Sequence, residues 1–413
     1  MNRPLFGCVL TALLLVLALP VMAEDALQAE TLGDAFNKGT PLLSFLYRYE
    51  EVDQEGFDKN AHASTLRTTV GFKSLPYRNT SFLIEAQNVT VLGNAQAYDN
   101  KGYQHLNNGV TDRPVVADPA QTTFNQAYFQ WKNSANKAQL GREEIIIGDA
   151  RFVGNVGWRQ NHQNFDAFTF TNSSLEILDI SYRYLNRVQT VVGSSKDMAS
   201  HLMNADLKFG KIGTLALYGY LLDFTRAENY GASTSTIGGE FKGKLELGEN
   251  LGLLYEVEYA MQSDYGDNPN TNLDAQYYFL MAGIALKPVT FKVGYEVLGG
   301  DASLDDNKGR FITPLATGHK FNGWADKFLN TPATGLQDLH FKANGKFGSL
   351  KWLLAYHLFD ANDGGFKYGN EFDALVTYKA SWKQTFGAKA AFYSADDFAT
   401  DTTKVWVWTG FKI

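Results

Sequence analysis

Residues 289–297 read VTFKVGYEV, and the side chains change character at every step. Val289, Phe291, Val293, Tyr295 and Val297 fall on one face, and Thr290, Lys292, Gly294 and Glu296 fall on the other. A period of two belongs to an extended strand with one apolar and one polar side. The next segments repeat it. Leu339, Phe341, Ala343, Gly345 and Phe347 alternate with His340, Lys342, Asn344 and Lys346, and Leu350, Trp352, Leu354, Tyr356 and Leu358 form a further stripe. These runs approach ten residues. An ordinary strand has about 5–6, whereas a tilted strand that crosses a bilayer needs about 9–11.

The same alternation extends from Leu43 to the end of the chain. In residues 43–51, Leu43, Phe45, Tyr47 and Tyr49 share a face and Arg48 lies opposite. Tight turns are expected at 75–79, 133–136, 172–174, 210–213, 247–250, 287–288, 348–349 and 381–382, with longer polar connections such as 92–122, 263–272 and 299–336 between them. Strand five is expected to span 137–147 and the last strand 403–413. In that last strand Trp406 and Trp408 fall on the nominal inner face, so either they plug part of the lumen or the register slips there. The reading is an all-β fold, an antiparallel transmembrane β-barrel of eighteen strands with short periplasmic turns and long extracellular loops. A barrel of that size leaves an aqueous lumen.

The segment before the barrel carries a secretory leader over residues 1–23, with Arg3, an apolar run and the Val21-Met22-Ala23 cleavage site. Residues 24–42 are then a periplasmic N-terminal segment, in which 27–37 form either one short amphipathic turn or helix or a disordered entry, and 43–413 is the barrel. The single cysteine, Cys8, lies in the leader, so the mature chain offers no thiol chemistry. Losing Arg3 takes Lys plus Arg from 37 to 36 against 44 acidic residues, a net charge of −8. A nucleic-acid partner would favour a basic chain. Mean hydropathy is −0.24, too polar for a bundle of membrane helices. The location that follows is the outer membrane, with membrane lipids, lipopolysaccharide and the barrel-assembly machinery as partners.

Charge is costly on the lipid face at mid-membrane. Arg48, Arg67, Glu85, Arg183, Lys242, Glu256, Glu258, Lys292, Glu296, Lys342, Lys351, Asp373 and Lys389 are therefore expected to point inward. Motifs for chemistry are sparse. His62 and Ser64 are the one His-x-Ser pair and lack a third partner, and no phosphate-cradling loop or HExxH occurs. The Asp- and Asn-rich stretches 264–274 and 301–306 offer oxygen ligands for calcium but lack EF-hand spacing, so solvated loops without a cofactor are the expectation. No enzyme is expected.

Residues 141–166 read GREEIIIGDARFVGNVGWRQNHQNFD. Arg142, Arg151 and Arg159 are interleaved with Asp149 and Asp166, and three guanidiniums near a pore mouth can clamp carboxylates bidentately. Two readings stand side by side. The segment is a selectivity filter, or it is a loop latch whose arginines pair with Asp149, Asp166 and Glu143. Here the chain resembles the alginate-export family of outer-membrane porins, which carries a similar GR–D–RFVG–GWRQN–FD signature. LYRYEEVDQ at 46–54, with Thr65, Leu66, Arg67, Thr68, Gly71 and Phe72, is similar to that family's first hairpin. The resemblance implies an eighteen-stranded barrel with a constriction lined by basic residues. The expected function is passive diffusion of small hydrophilic solutes, uronates or other carboxylates, past Arg142, Arg151, Arg159, Arg48, Arg67 and Arg183 together with Asp149 and Asp166. The alternative is a dedicated exporter of an acidic exopolysaccharide such as alginate, served by a periplasmic partner.

Overall fold

A computed structural model describes residues 28–301, 303 and 309–412. The leader at 1–23 and most of the 301–306 stretch lie outside the described residues. Of the entry segment, residues 32–37 form a single turn, α1 (Leu32–Asn37), capped by the Thr31 hydroxyl on the Asp34 N–H. The helix reading of that segment therefore holds, and the first strand starts three residues earlier than the sequence suggests.

The strands are β1 (Thr40–Gln54), β2 (Ala61–Lys73), β3 (Thr80–Val91), β4 (Gln121–Lys132), β5 (Asn136–Glu143) and β6 (Asn164–Leu175). Then come β7 (Leu178–Gln189), β8 (Ser195–Lys208), β9 (Thr214–Leu222), β10 (Thr234–Glu246), β11 (Leu251–Asp264) and β12 (Asp274–Leu286). The last six are β13 (Val289–Leu298), β14 (Leu336–Phe347), β15 (Leu350–Asp360), β16 (Lys367–Lys379), β17 (Thr385–Ala395) and β18 (Thr402–Lys412). Each pairs antiparallel with its neighbours in sequence, and β1 pairs with both β2 and β18, so the sheet closes and leaves no edge.

Closure gives the alternation its meaning. Val70, Phe129, Ile237, Val257 and Phe291 stand exposed on the outer face, while Arg48, Glu50, Glu258, Glu296 and Asp373 are buried on the inner face. The register of β18 is unbroken against both β17 and β1, so Trp406 and Trp408 do face the lumen. Gly387 stands opposite Trp408 and makes room for it, since a Cβ there would sit 2.1 Å from the indole ring.

Two further boundaries shift by more than two residues. The turn between β6 and β7 falls at 176–177 and not at 172–174, because Asn172 turns its side chain onto Ser174 while the strand continues past it. Strand β5 stops at Glu143 instead of Ile147, because the chain leaves the wall at Glu144 and enters the lumen.

Three connections at the long-loop end, 92–120, 144–163 and 299–335, fill that lumen. The 144–163 and 299–335 loops bond to each other: the Gly154 N–H donates to the Leu315 carbonyl and the Thr317 N–H to the Ala150 carbonyl. Val153, Phe311, Leu315 and Ala325 pack against wall residues Phe165, Leu185, Tyr277 and Trp406. The apolar core of this protein therefore lies inside the barrel, between loops and wall.

Candidate functional site: a loop-built constriction

The constriction begins with Arg159, carried into the lumen on the 144–163 loop. Its guanidinium donates to Glu50 on β1 at 3.1 and 3.3 Å and to Asp326 of the 299–335 loop at 2.9 Å, with Asp118 of the 92–120 loop 3.7 Å away. Arg48 on β1 closes the other side, donating to Asp118 and to the Trp158 carbonyl. One arginine on the wall and one in a loop thus gather three loop or wall carboxylates. Lys404 on β18 completes the row at 2.7 Å from Asp326.

These charges are buried, so each depends on its partners. Burial works against Asp326, yet the bond from His319 and the cations Lys404 and Arg159 hold its carboxyl well below the usual range. Asp118 is likewise lowered against burial by Arg48 and Arg159. Burial holds His319 well below an ordinary imidazole. The neutral ring fits its bonds: Lys389 donates to Nε2 at 2.7 Å, and Nδ1–H donates to Asp326 at 2.5 Å.

Trp158 forms the body of the partition. Its ring stacks on His319 at 5.1 Å and 10° and meets Trp406 and Trp408 edge-on at 5.7 and 5.3 Å. The Arg48 guanidinium lies 5.0 Å from the ring centroid and the Lys389 ammonium 4.1 Å. Glu371 on β16 accepts from the Trp324 and Ala325 N–H groups and anchors the 299–335 loop.

A cavity of about 760 Å³ lies on the long-loop side, lined by Arg159, Lys196, Arg310, Lys327 and Lys404 with Asp326. One of about 750 Å³ lies on the short-turn side, lined by Arg67, Lys379, Lys383 and Lys412 with Glu85 and Glu144. A third of about 370 Å³, beneath the 144–163 loop, holds Asp149, Asp206, Glu240 and Glu258 against Arg183 and Lys242.

The residues singled out in the sequence separate accordingly. Arg48, Arg67 and Arg159 meet at the partition, where Arg67 donates to the Arg159 and Gln160 carbonyls and to His162. Arg151 is a latch, 2.6 Å from Glu296 on β13, 3.2 Å from Asn322 and over the Phe321 ring. Arg183 and Asp149 line the third cavity, and Arg183 bonds Ser181 and Asn204.

Arg142 and Asp166 do not reach the pore. They pair bidentately at 2.7 and 3.0 Å on the outer face, beside Phe124, Leu140 and Phe168. The reason is parity: Gln139 and Glu143 point inward, so Arg142 shares the outward side with Leu140. Arg187 and Asp197 extend that outer row, with Asp197 2.7 Å from Arg187. His62 and Ser64 also leave the lumen side to Ala61, Ala63 and Thr65, and each bonds a tyrosine hydroxyl.

Trp158, Asp118, Glu50, Asp326 and His319 were not singled out. Trp158 stood in plain view inside GWRQN, and Glu50 alternates with Arg48. Asp118 and Asp326 sit in loops whose fold no periodicity encodes.

Several solved structures superpose on this one at low identity. Pseudomonas aeruginosa OpdK with vanillate superposes with a TM-score of 0.71 at 13% identity, covering 92% of this chain and 99% of that one. Acinetobacter baumannii OccAB2 gives 0.70 at 13%, with 92% and 100% covered, and OccAB4 gives 0.69 at 12%, with 91% and 98% covered. At such identity they speak for the barrel architecture alone. No curated protein matches the chain. The family model described as alginate export matches residues 56–402. With that match and the closed eighteen-stranded barrel, the chain belongs to the alginate-export family of outer-membrane β-barrel porins.

Proposed function

We propose that this protein is a passive, non-enzymatic channel for small hydrophilic anions, with uronates and other carboxylates as the favoured solutes. The observation that carries the proposal is uncompensated positive charge in the outer cavity. Lys196, Arg310 and Lys327 line it and make no ion pair among the described residues. Arg310 spends one N–H on the Thr331 carbonyl, and Lys327 lies over the Tyr393 ring. Burial and the neighbouring Lys404 bring Lys327 down to about 8, so it is still largely charged at neutral pH. Such groups replace part of a carboxylate's hydration as it enters, and binding must stay weak enough for release. OpdK was solved with vanillate, a carboxylate, which supports the same class here.

Family membership also supports export of an acidic polymer. In that reading the loops at 144–163 and 299–335 leave the lumen together, since their bonded arrangement divides it. Planar-bilayer recordings discriminate. The channel proposal expects steady anion-selective conductance from the purified barrel and faster liposome swelling with glucuronate than with an uncharged sugar of equal size. Sealed bilayers, or equal swelling rates, overturn it.

A further inference from the structure

Three neighbouring strands of the inner wall carry an acid–histidine cluster in which Glu371 anchors the 299–335 loop and the two histidines have no part in the constriction. Asp338 and His340 lie two apart on β14, both inward and buried. His357 stands directly opposite His340 on β15, and Glu371 opposite His357 on β16. The potential ligand atoms of Asp338, His340 and His357 all lie within 4.8 Å of one another.

The individual contacts leave this set open toward a common point. His357 Nδ1 is 2.9 and 3.0 Å from the two Asp338 oxygens. His340 Nδ1 is 3.7 Å from Asp338 Oδ2 and has no hydrogen-bond partner, although the residue is only 6% exposed. Its opposite edge is fixed, because Nε2 lies where a Cβ on Gly294 would be, 2.3 Å away. Behind His357, Asp373 is fully buried with neither carboxylate oxygen bonded, and its Oδ2 is 3.9 Å from His357 Nε2. Asn322, from the 299–335 loop, donates to Asp338 Oδ2 at 3.1 Å.

We propose that Asp338, His340 and His357 bind one first-row divalent cation of the zinc class, with Asp373 orienting His357 from behind. Two imidazoles and a carboxylate form a borderline ligand set that suits zinc and its neighbours more than calcium or magnesium. When the His357 proton sits on Nε2, facing Asp373, the Nδ1 lone pair is free for the metal. This is the carboxylate–histidine–metal arrangement that fixes tautomer and ring orientation. The cation gives the unbonded His340 nitrogen a partner and places a positive charge within the acidic group. It lies under the 299–335 loop, and its three ligands line none of the three cavities described above.

The test uses untagged, folded protein stripped with EDTA, dialysed against zinc chloride and measured by elemental analysis. Wild type retains one zinc per chain. His340→Ala and His357→Ala retain none, and Asp373→Asn weakens binding about 10- to 100-fold. Absence of retained zinc in wild type, or equal retention in His357→Ala, overturns the site. A second measurement needs no variant: X-ray absorption of the zinc-loaded wild type shows imidazole scattering from two histidines. A shell of oxygen alone overturns the proposal, as it marks surface carboxylates.

Discussion

Arg159 points its guanidinium into the outer cavity and gives its carbonyl oxygen, 3.4 Å away, to Arg67, whose side chain lines the inner cavity. One residue of backbone therefore separates the two halves of the lumen. Both arginines belong to the partition, but they differ in what they hold. Arg159 neutralises buried carboxylates, whereas Arg67 bonds mainly to backbone oxygens and one imidazole.

The difference makes Arg159→Ala the more disruptive change. It strands Glu50, Asp118 and Asp326 with less positive charge among them, and breaking a buried pair costs about 3–5 kcal/mol. The wall is held by its strand ladders, so the barrel is expected to fold and to keep the β-sheet circular-dichroism spectrum of wild type. The loops are expected to loosen, with conductance rising several-fold and becoming noisier in planar bilayers. A quiet wild-type conductance in the variant would show that the Arg159 ion pairs do not hold the loops in place.

Arg67→Gln removes a cation from the path without leaving a buried carboxylate alone. Conductance at high salt is expected to stay within about twofold of wild type. The reversal potential under a salt gradient should move toward cation preference, and more so at low ionic strength, where screening is weaker. An unshifted reversal potential would remove Arg67 from the selectivity argument.

Arg142→Ala is expected to do neither. Its pair with Asp166 is partly exposed on the outer face, and such pairs contribute about 0–1 kcal/mol. Reversal potential and conductance should match wild type, with thermal unfolding lowered by a few degrees at most. A change in selectivity would place the side chain in the pore after all.

Arg142 also marks where the sequence stops being legible. The barrel is readable because period-two alternation is local: Val289 through Val297 declare their faces without knowledge of any other strand. Within that frame the inward placement of Arg48, Arg67 and Glu296 follows from parity. Near a strand end, charge ceases to report the inside, because solvent or headgroups lie on both faces, and there only parity counts. The charge of Arg142 points to the pore, whereas its parity with Leu140 puts it outside. The meeting of Asp118, Arg159 and Asp326 was illegible for another reason. Those residues lie far apart on three loops, and the contacts that fold the loops inward are non-local. The RFVG–GWRQN segment announced itself by composition, yet its arginines divide between a latch at Arg151 and the partition at Arg159, which spacing does not distinguish.

The root of the 144–163 loop carries a pH dependence of known sign. Burial alone would raise Glu144, but the hydrogen bond from His162, with bonds from Asn125 and Asn155, holds it at about 2. Folded Glu144 therefore binds fewer protons than the unfolded chain between about pH 4.5 and 2, and stability increases with pH through that window. The tether is fully present above about pH 4.5 and is lost as pH falls toward 2. Conductance noise from loop movement is expected to be flat from pH 7 to about 5 and to grow below it. Glu144→Gln should show elevated noise already at pH 7. If the variant and wild type share one acid profile, Glu144 does not tether the loop.

Trp158 tests whether the partition is a body of side chains or only a network of charges. It touches His319, which lines the outer cavity, and Trp408, which lines the inner one. Trp158→Ala deletes the indole between them while leaving the Arg159 ion pairs in place, so the two cavities are expected to join. Single-channel conductance should rise severalfold and liposome swelling with neutral sugars should accelerate. The low noise of a latched loop should persist, unlike in Arg159→Ala. Trp158→Phe keeps a ring against His319 and should fall between the two. Unchanged conductance in Trp158→Ala would mean that ions already pass by another route, and the third cavity, between Arg183 and Glu258, would be the place to look.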